Sequence, residues 1–72
     1  MKLSERMRAL RKEQGLKQED AARLLGISMS AYCRYEQGKR EPAASTLAAI
    51  ADFYRVSTDY LLGRTDRREP PL

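Results

Sequence analysis

Isolated glycines divide this chain into lengths that suit short helices. Gly15, Gly26, Gly38 and Gly63 stand alone, 11, 12 and 25 residues apart. Helix-forming residues dominate the stretches between them, and no stretch alternates polar and apolar residues over six positions. A single glycine is a common residue just beyond a helix C-terminus. The sequence therefore predicts an all-α fold with five helices and no sheet.

Hydrophobic spacing and capping residues place the five helices. Leu3, Met7 and Leu10 follow the i, i+4, i+7 spacing of one buried stripe. Ser28 is a good N-cap, whereas Lys17 is a poor one for which the side chain of Asp20 can compensate. The predicted helices run approximately over residues 3–14, 18–25, 29–37, 44–54 and 58–62.

The length of 72 residues allows one domain at most. Residues 1–63 contain all the predicted helices. Residues 64–72 are charged and end near Pro70 and Pro71, so they are interpreted as a mobile tail.

Composition narrows the functional classes. The net charge is +4, which suits a nucleic acid or another acidic partner but does not by itself decide between them. The chain has no histidine and one cysteine, Cys33, so neither a zinc cluster nor a Cys–His nucleophile pair is available. We expect no enzymatic activity, no cofactor, no metal and no small-molecule ligand. A lone cysteine and the lack of an apolar stretch of ~18 residues predict a cytoplasmic protein.

The segment around Gly26 has the pattern of a helix-turn-helix. Gly26, Ile27 and Ser28 form a short turn between two predicted helices, and Gly26 can adopt the unusual backbone angle that such a turn needs. Ala22 provides the small side chain required where the two helices approach. Any helical hairpin can show this pattern, so the surrounding residues decide its meaning.

Those residues resemble a known family, the phage-repressor and Cro-like helix-turn-helix proteins, often called the XRE family. The resemblance covers about Leu3 to Gly63. The matching segments, in the family's order and spacing, are RALRKEQGL at 8–16, QEDAA at 18–22, LGIS at 25–28, YEQGKREP at 35–42 and VSTDYLLG at 56–63.

The resemblance implies a lambda-repressor-like fold whose third helix lies in the major groove of double-stranded DNA. It further implies sequence-specific binding by a small transcriptional regulator, which we expect to be a repressor. The family's functional positions correspond here to Gln18 for a phosphate, Met29, Ser30 and Arg34 for bases, Lys39 and Arg40 for the DNA backbone, and Arg11 with Glu36 for a structural salt bridge.

Charge and register add to these expectations. Lys17 and Arg11 are further candidates to neutralise phosphates. Ser30 and Arg34 are four positions apart and share one helix face, with Met29 at its edge. The fork of Arg34 fits the two acceptors of guanine. Ser30 can alternatively bond within its own helix, and Met29 can simply cover the turn.

Some positions depart from the family pattern. Lys17 and Ala43 stand where the family has polar caps, and Leu24 stands where it exposes a charged residue. Tyr32 and Tyr35 replace aliphatic residues, and we expect both in the core. None of these departures removes a DNA-contacting residue.

One recognition helix covers only a few base pairs, so we expect a homodimer on an inverted repeat. Tyr60, Leu61 and Leu62 are the candidates for the dimer contact. The alternative function is a protein-binding module, such as an antitoxin or an anti-activator, that uses Leu24 and the tail as its contact surface.

Overall fold

The computed structural model describes residues 2–69, which form five α-helices and no strand. The all-α prediction is confirmed, and the predicted helix ends lie within about one residue of those observed. No helix within this range is long and apolar enough to cross a membrane. The helices are α1 (Lys2–Glu13), α2 (Gln18–Leu25), α3 (Met29–Glu36), α4 (Ala44–Tyr54) and α5 (Thr58–Leu61).

Every helix contributes to one core. The predicted stripe of α1, formed by Leu3, Met7 and Leu10, is buried. Because these three side chains lie on one face, α1 can pack against both α3 and α5. The other buried apolar residues are Ala21, Ala22, Tyr32, Tyr35, Ile50, Ala51, Tyr54, Val56 and Leu61.

The turn after α2 is a Schellman motif, which joins α2 to α3 in three residues. The amide of Ile27 donates to the carbonyl of Ala22 at 3.0 Å, and that of Gly26 donates to Arg23 at 3.1 Å. Gly26 has φ 73°, the left-handed conformation that this motif requires. Ser28 then caps α3 by accepting from the amide of Ala31 at 3.0 Å.

Arg55 plays the role of a terminal glycine at the end of α4. It has φ 58°, and the amides of Arg55 and Val56 donate to the carbonyls of Asp52 and Ala51. This is the hydrogen-bond pattern seen at Gly26. It explains why no glycine occurs between Gly38 and Gly63, although α4 and α5 are separate helices.

The segment after α5 is folded back onto the helices in its described part, residues 64–69. The amide of Ser57 donates to the carbonyl of Arg68 at 2.8 Å, and the Arg68 guanidinium holds the Glu13 carboxylate in two hydrogen bonds. Pro70, Pro71 and Leu72, the rest of the predicted mobile tail, lie outside the described residues.

Arg6 gives the physical reason for this packing. Its side chain is only 15% exposed, and a guanidinium removed from water needs acceptors. It donates to the carbonyls of Tyr60 at 2.6 Å and Thr65 at 2.7 Å, and to the carboxylate of Asp66 at 2.9 Å. The segment that sequence reasoning separated from the domain therefore supplies acceptors to α1.

We predict that Arg55→Gly stabilises the protein by about 1 kcal/mol, because an L-residue in the left-handed conformation costs roughly 1–2 kcal/mol and glycine loses some of that gain through its flexible unfolded state. Thermal or chemical denaturation measures the change. Arg55→Ala is the matched control, since it removes the same exposed side chain but keeps the strain. Equal effects of the two variants would contradict this account.

Candidate DNA-binding surface

The outer face of α3 is free for a partner. Met29 is 50% exposed, and Ser30 and Arg34 are exposed as well. The opposite face carries the buried Tyr32 and Tyr35. The helix therefore presents the three predicted base-reading side chains outward together, as their register requires.

Glu36, the last residue of α3, anchors the C-terminus of this helix to α1 and α2. Its side chain is 1% exposed, and its carboxylate accepts from Arg11 Nε at 2.8 Å and Arg11 Nη2 at 3.1 Å. Gln18 Nε2 donates to the same carboxylate at 3.2 Å. One buried carboxylate thus joins α1, α2 and α3, and the pair between Arg11 and Glu36 is present.

Burial alone would raise the pKa of Glu36. The hydrogen bonds that its carboxylate accepts from Arg11, Tyr32 and Gln18 outweigh burial and hold this pKa below 4.5, the ordinary value. The charged form is therefore the one that the fold stabilises.

A tyrosine pair extends this network to α4. The hydroxyls of Tyr32 and Tyr54 are 2.5 Å apart in the core. Either hydroxyl can be the donor in this bond, and Tyr32 also interacts with the Glu36 carboxylate, which can only accept. Burial raises the pKa of both tyrosines, so both hydroxyls stay protonated. The sequence predicted a buried Tyr32 but gave no signal that it pairs with Tyr54.

Both ends of the Gln18 side-chain amide are hydrogen-bonded. Its amide nitrogen donates to Glu36, and its amide oxygen accepts from the Cys33 thiol at 3.2 Å. Gln18 is the first residue of α2, where a backbone amide has no partner within the helix. The backbone amide of Gln18 is therefore the donor best placed for a phosphate at this helix start.

The start of α2 compensates for its poor cap in the expected way. The backbone amide of Lys17 donates to Asp20 Oδ2 at 3.1 Å. The Lys17 ammonium group has no acceptor with which to cap the helix amides. Its side chain is exposed, so the positive charge remains available to a partner. Lys39 and Arg40, in the loop after α3, are exposed too.

Three arginines of α1 serve the fold. Arg6 donates to Tyr60, Thr65 and Asp66. Arg11, whose side chain is 12% exposed, donates to Glu36 and to the carbonyl of Leu16 at 2.8 Å. Arg8 donates to the carbonyl of Glu36 at 3.0 Å. This carbonyl lies at the C-terminus of α3, where the negative end of the helix dipole stabilises a cation. Periodicity gave no signal for Arg8, because it shows which side chains leave the core but not what they reach.

The residues expected to form a dimer contact have different environments. Leu61 is completely buried, and the Arg6 guanidinium lies 4.1 Å from the centre of the Tyr60 ring. The expectation fails for Leu61, because the inward face of the short helix α5 fills the core. Leu62 is 45% exposed and remains accessible.

A family model described as helix-turn-helix matches residues 7–61 of the chain.

The chain belongs to the helix-turn-helix family.

Similar proteins agree with this assignment, and the predicted kinship with phage repressors is confirmed. The chain is 38% identical over 66 residues to the HTH-type transcriptional regulator ImmR of Bacillus subtilis, covering 92% of the chain and 52% of ImmR. It is 39% identical over 64 residues to the cryptic phage CTXphi transcriptional repressor RstR of Vibrio cholerae, covering 89% of the chain and 57% of RstR. The chain thus spans little more than half the length of these relatives.

A solved structure shows the same fold. The DNA-binding domain of the P22 C2 repressor matches with a TM-score of 0.79 and 32% identity, covering 86% of this chain and 82% of that one. The lambda-repressor-like fold is therefore confirmed.

We predict that acid weakens this fold partly through Glu36. A glutamate whose pKa is lowered by folding contributes stability above its unfolded pKa, and that contribution is lost as the pH falls through the folded pKa. Glu36→Gln should cost roughly 3 kcal/mol at pH 7, because it leaves Arg11 without its counter-ion in a nearly buried site. It should also remove part of the loss of stability that the unmodified protein shows below about pH 4.5.

Denaturation between pH 7 and pH 2 measures both effects. Glu13→Gln is the control, since Glu13 also pairs with an arginine but is exposed, and it should change stability little. Parallel pH profiles for Glu36→Gln and the unmodified protein would show that the Glu36 carboxylate does not couple to folding.

Proposed function

We propose that this chain binds a specific sequence in double-stranded DNA and regulates transcription as a repressor, with α3 in the major groove. The observation that carries the proposal is the outward face of α3, where Met29, Ser30 and Arg34 are exposed on a helix whose inner side is fixed by Glu36. The names of the similar proteins support it: ImmR is called a transcriptional regulator, RstR a repressor and the P22 domain a DNA-binding domain.

Arg34 is the proposed reader of a guanine. Its two parallel donors match the O6 and N7 acceptors that guanine presents in the major groove. Ser30 stands one turn before it on the same face, and Met29 at the edge can contact a thymine methyl. These three side chains supply the sequence preference.

Phosphate contacts come from residues on either side of α3. Lys17 and the backbone amide of Gln18 lie at the start of α2, where the helix dipole also favours an anion. Lys39 and Arg40 follow α3 and hold the DNA backbone at its other end. Arg11 directs three of its five N–H donors to Glu36 and Leu16, so it remains a proposed phosphate contact through the other two.

Two copies are needed for a useful site. One recognition helix covers only a few base pairs, so we propose a homodimer on an inverted repeat with half-sites about one turn, ~10 base pairs, apart.

We predict that Arg34→Ala relaxes the preference at one base pair in each half-site and costs roughly 1–3 kcal/mol of specific binding per half-site. Lys39→Ala should instead weaken specific and non-specific duplexes by about the same factor, since a phosphate contact carries no sequence information. Selection of duplexes from a random pool, followed by titrations of selected and scrambled duplexes, measures both variants. If Arg34→Ala lowers both affinities equally, Arg34 contacts phosphate and the assignment of readout is wrong.

We also predict a salt-dependent affinity for the selected duplex. Each phosphate neutralised by a cation adds about −0.9 to the slope of log affinity against log salt, so Lys39→Ala should reduce the slope by about 0.9 per chain. Arg64→Ala, which removes an exposed cation beyond α5, is the control and should leave the slope unchanged. A slope near zero for the unmodified protein would favour the alternative of a protein-binding module.

A further inference from the structure

The last four carbonyls of α3 all accept hydrogen bonds. The first three accept from the backbone amides of residues 37–39 at 3.0–3.2 Å, in a turn where Gly38 has φ 72°. The carbonyl of Glu36, the last residue of the helix, accepts instead from Arg8 Nη2 at 3.0 Å. An arginine of α1 therefore completes the C-terminus of α3.

Arg8 differs from the other two arginines that serve the fold. The side chains of Arg6 and Arg11 are 15% and 12% exposed, and each of them makes three hydrogen bonds within the domain. Arg8 is exposed, and its bond to the Glu36 carbonyl occupies one of its five N–H donors. Arg8 therefore presents further donors at the surface.

The positive charge of Arg8 is also uncompensated. No carboxylate lies within 4.0 Å of its guanidinium among residues 2–69. The Glu36 carboxylate does not serve Arg8, because it is buried and accepts from Arg11 and Gln18. A cation at this position can attract an anionic partner.

The cations of the loop after α3 lie at the same end of this helix. The amide of Lys39 donates to the carbonyl of Arg34 at 3.0 Å, so the backbone of Lys39 is held against the last turn of α3. Lys39 and the neighbouring Arg40 are exposed, and neither forms an ion pair in the part of the chain that the structure describes. Two separate elements, α1 and this loop, thus bring cations without counter-ions to one end of α3.

We propose that Arg8 binds a DNA phosphate while it holds the end of α3, a proposal that rests on the DNA-binding function given above. A guanidinium is planar, and with one N–H on the Glu36 carbonyl its remaining donors fit the oxygens of a single phosphate. This phosphate belongs to the strand that Lys39 and Arg40 contact, next to the phosphates that they bind.

The hydrogen bond to Glu36 prepares Arg8 for this contact. A long side chain loses rotamer freedom when it binds a partner, and this loss lowers affinity. Arg8 has given up part of that freedom in the unbound protein, since its guanidinium is already fixed at the carbonyl of Glu36. The same bond joins the phosphate contact to the end of α3, so the position of this helix along the groove and the contact to the backbone are set together.

The position of Arg8 assigns it to the DNA backbone and not to base readout. The outward face of α3, with Ser30 and Arg34, is the proposed reader of base edges. Arg8 projects from α1 and meets α3 at its C-terminal end. Because a phosphate contact carries no sequence information, loss of Arg8 should weaken all duplexes alike.

The first experiment separates a phosphate contact from a purely structural role. Arg8→Ala should lower the affinities for selected and scrambled duplexes by the same factor, roughly five- to tenfold per chain near 0.1 M salt, and should reduce the salt slope by about 0.9 per chain. Arg8→Lys keeps the charge and should keep the slope. Binding is measured where thermal denaturation shows every variant to be folded.

Arg67→Ala is the matched control. Arg67 is an exposed arginine in the segment that packs on Arg6 and Glu13. Arg8 lies two residues after Arg6, about 200° around α1, so this segment occupies the other side of the helix. Arg67→Ala should change neither affinity nor slope.

The second experiment locates the phosphate. Single phosphates of the selected duplex are replaced one at a time by neutral methylphosphonates, and the affinities of the unmodified protein and of Arg8→Ala are compared. At one phosphate per half-site, the replacement should weaken the unmodified protein but not Arg8→Ala, because that variant has already lost the contact. The same comparison with Lys39→Ala should identify a neighbouring phosphate.

The outcomes separate this proposal from the function on which it rests. If the unmodified protein prefers the selected duplex but Arg8→Ala leaves the salt slope unchanged, or every replaced phosphate weakens both proteins equally, Arg8 serves the fold alone. If the unmodified protein prefers no duplex over a scrambled one, the DNA-binding function itself is wrong.

Discussion

A buried carboxylate controls the geometry of this protein. Glu36 lies at the end of α3 with 1% of its side chain exposed, and it accepts hydrogen bonds from α1 and α2. Leaving such a charge unpaired inside a protein costs several kcal/mol, so the helices that supply Arg11 and Gln18 cannot shift independently of α3. The hydroxyl pair of Tyr32 and Tyr54 carries the same constraint to α4. The orientation of the recognition helix is therefore set by a polar network as well as by apolar packing.

This arrangement divides the cations of a basic chain into two groups. Three arginines of α1 donate to acceptors within the domain: Arg6 to residues 60–66, Arg8 to the last carbonyl of α3, and Arg11 to the Glu36 carboxylate. Arg34 and Lys39 are exposed, and they belong to the surface that we propose for DNA. A net charge of +4 is thus a poor measure of the charge that faces a partner, because part of the basic content of α1 is spent on internal acceptors.

The same division shapes the far side of the molecule. Residues 64–69 supply acceptors to Arg6, and Arg6 and Arg68 both lie against the ring of Tyr60. This packing leaves Tyr60 partly buried, whereas Leu62 is 45% exposed. The contacts that complete the domain therefore also decide which apolar residues near α5 stay exposed.

The sequence by itself determined the helix boundaries, the buried stripe of α1, the outward register of Ser30 and Arg34, and the family. These depend on local periodicity, on capping residues and on motif order, all of which can be read along the chain. Only the tertiary structure decided that Arg8 binds the end of α3, that Tyr32 pairs with Tyr54, that residues 64–69 pack on α1 and that Arg55 ends α4 in the place of a glycine. All but the last join residues more than 20 positions apart. A periodic pattern reports which side of a helix a residue occupies, but the partner it meets there is fixed by how the helices pack.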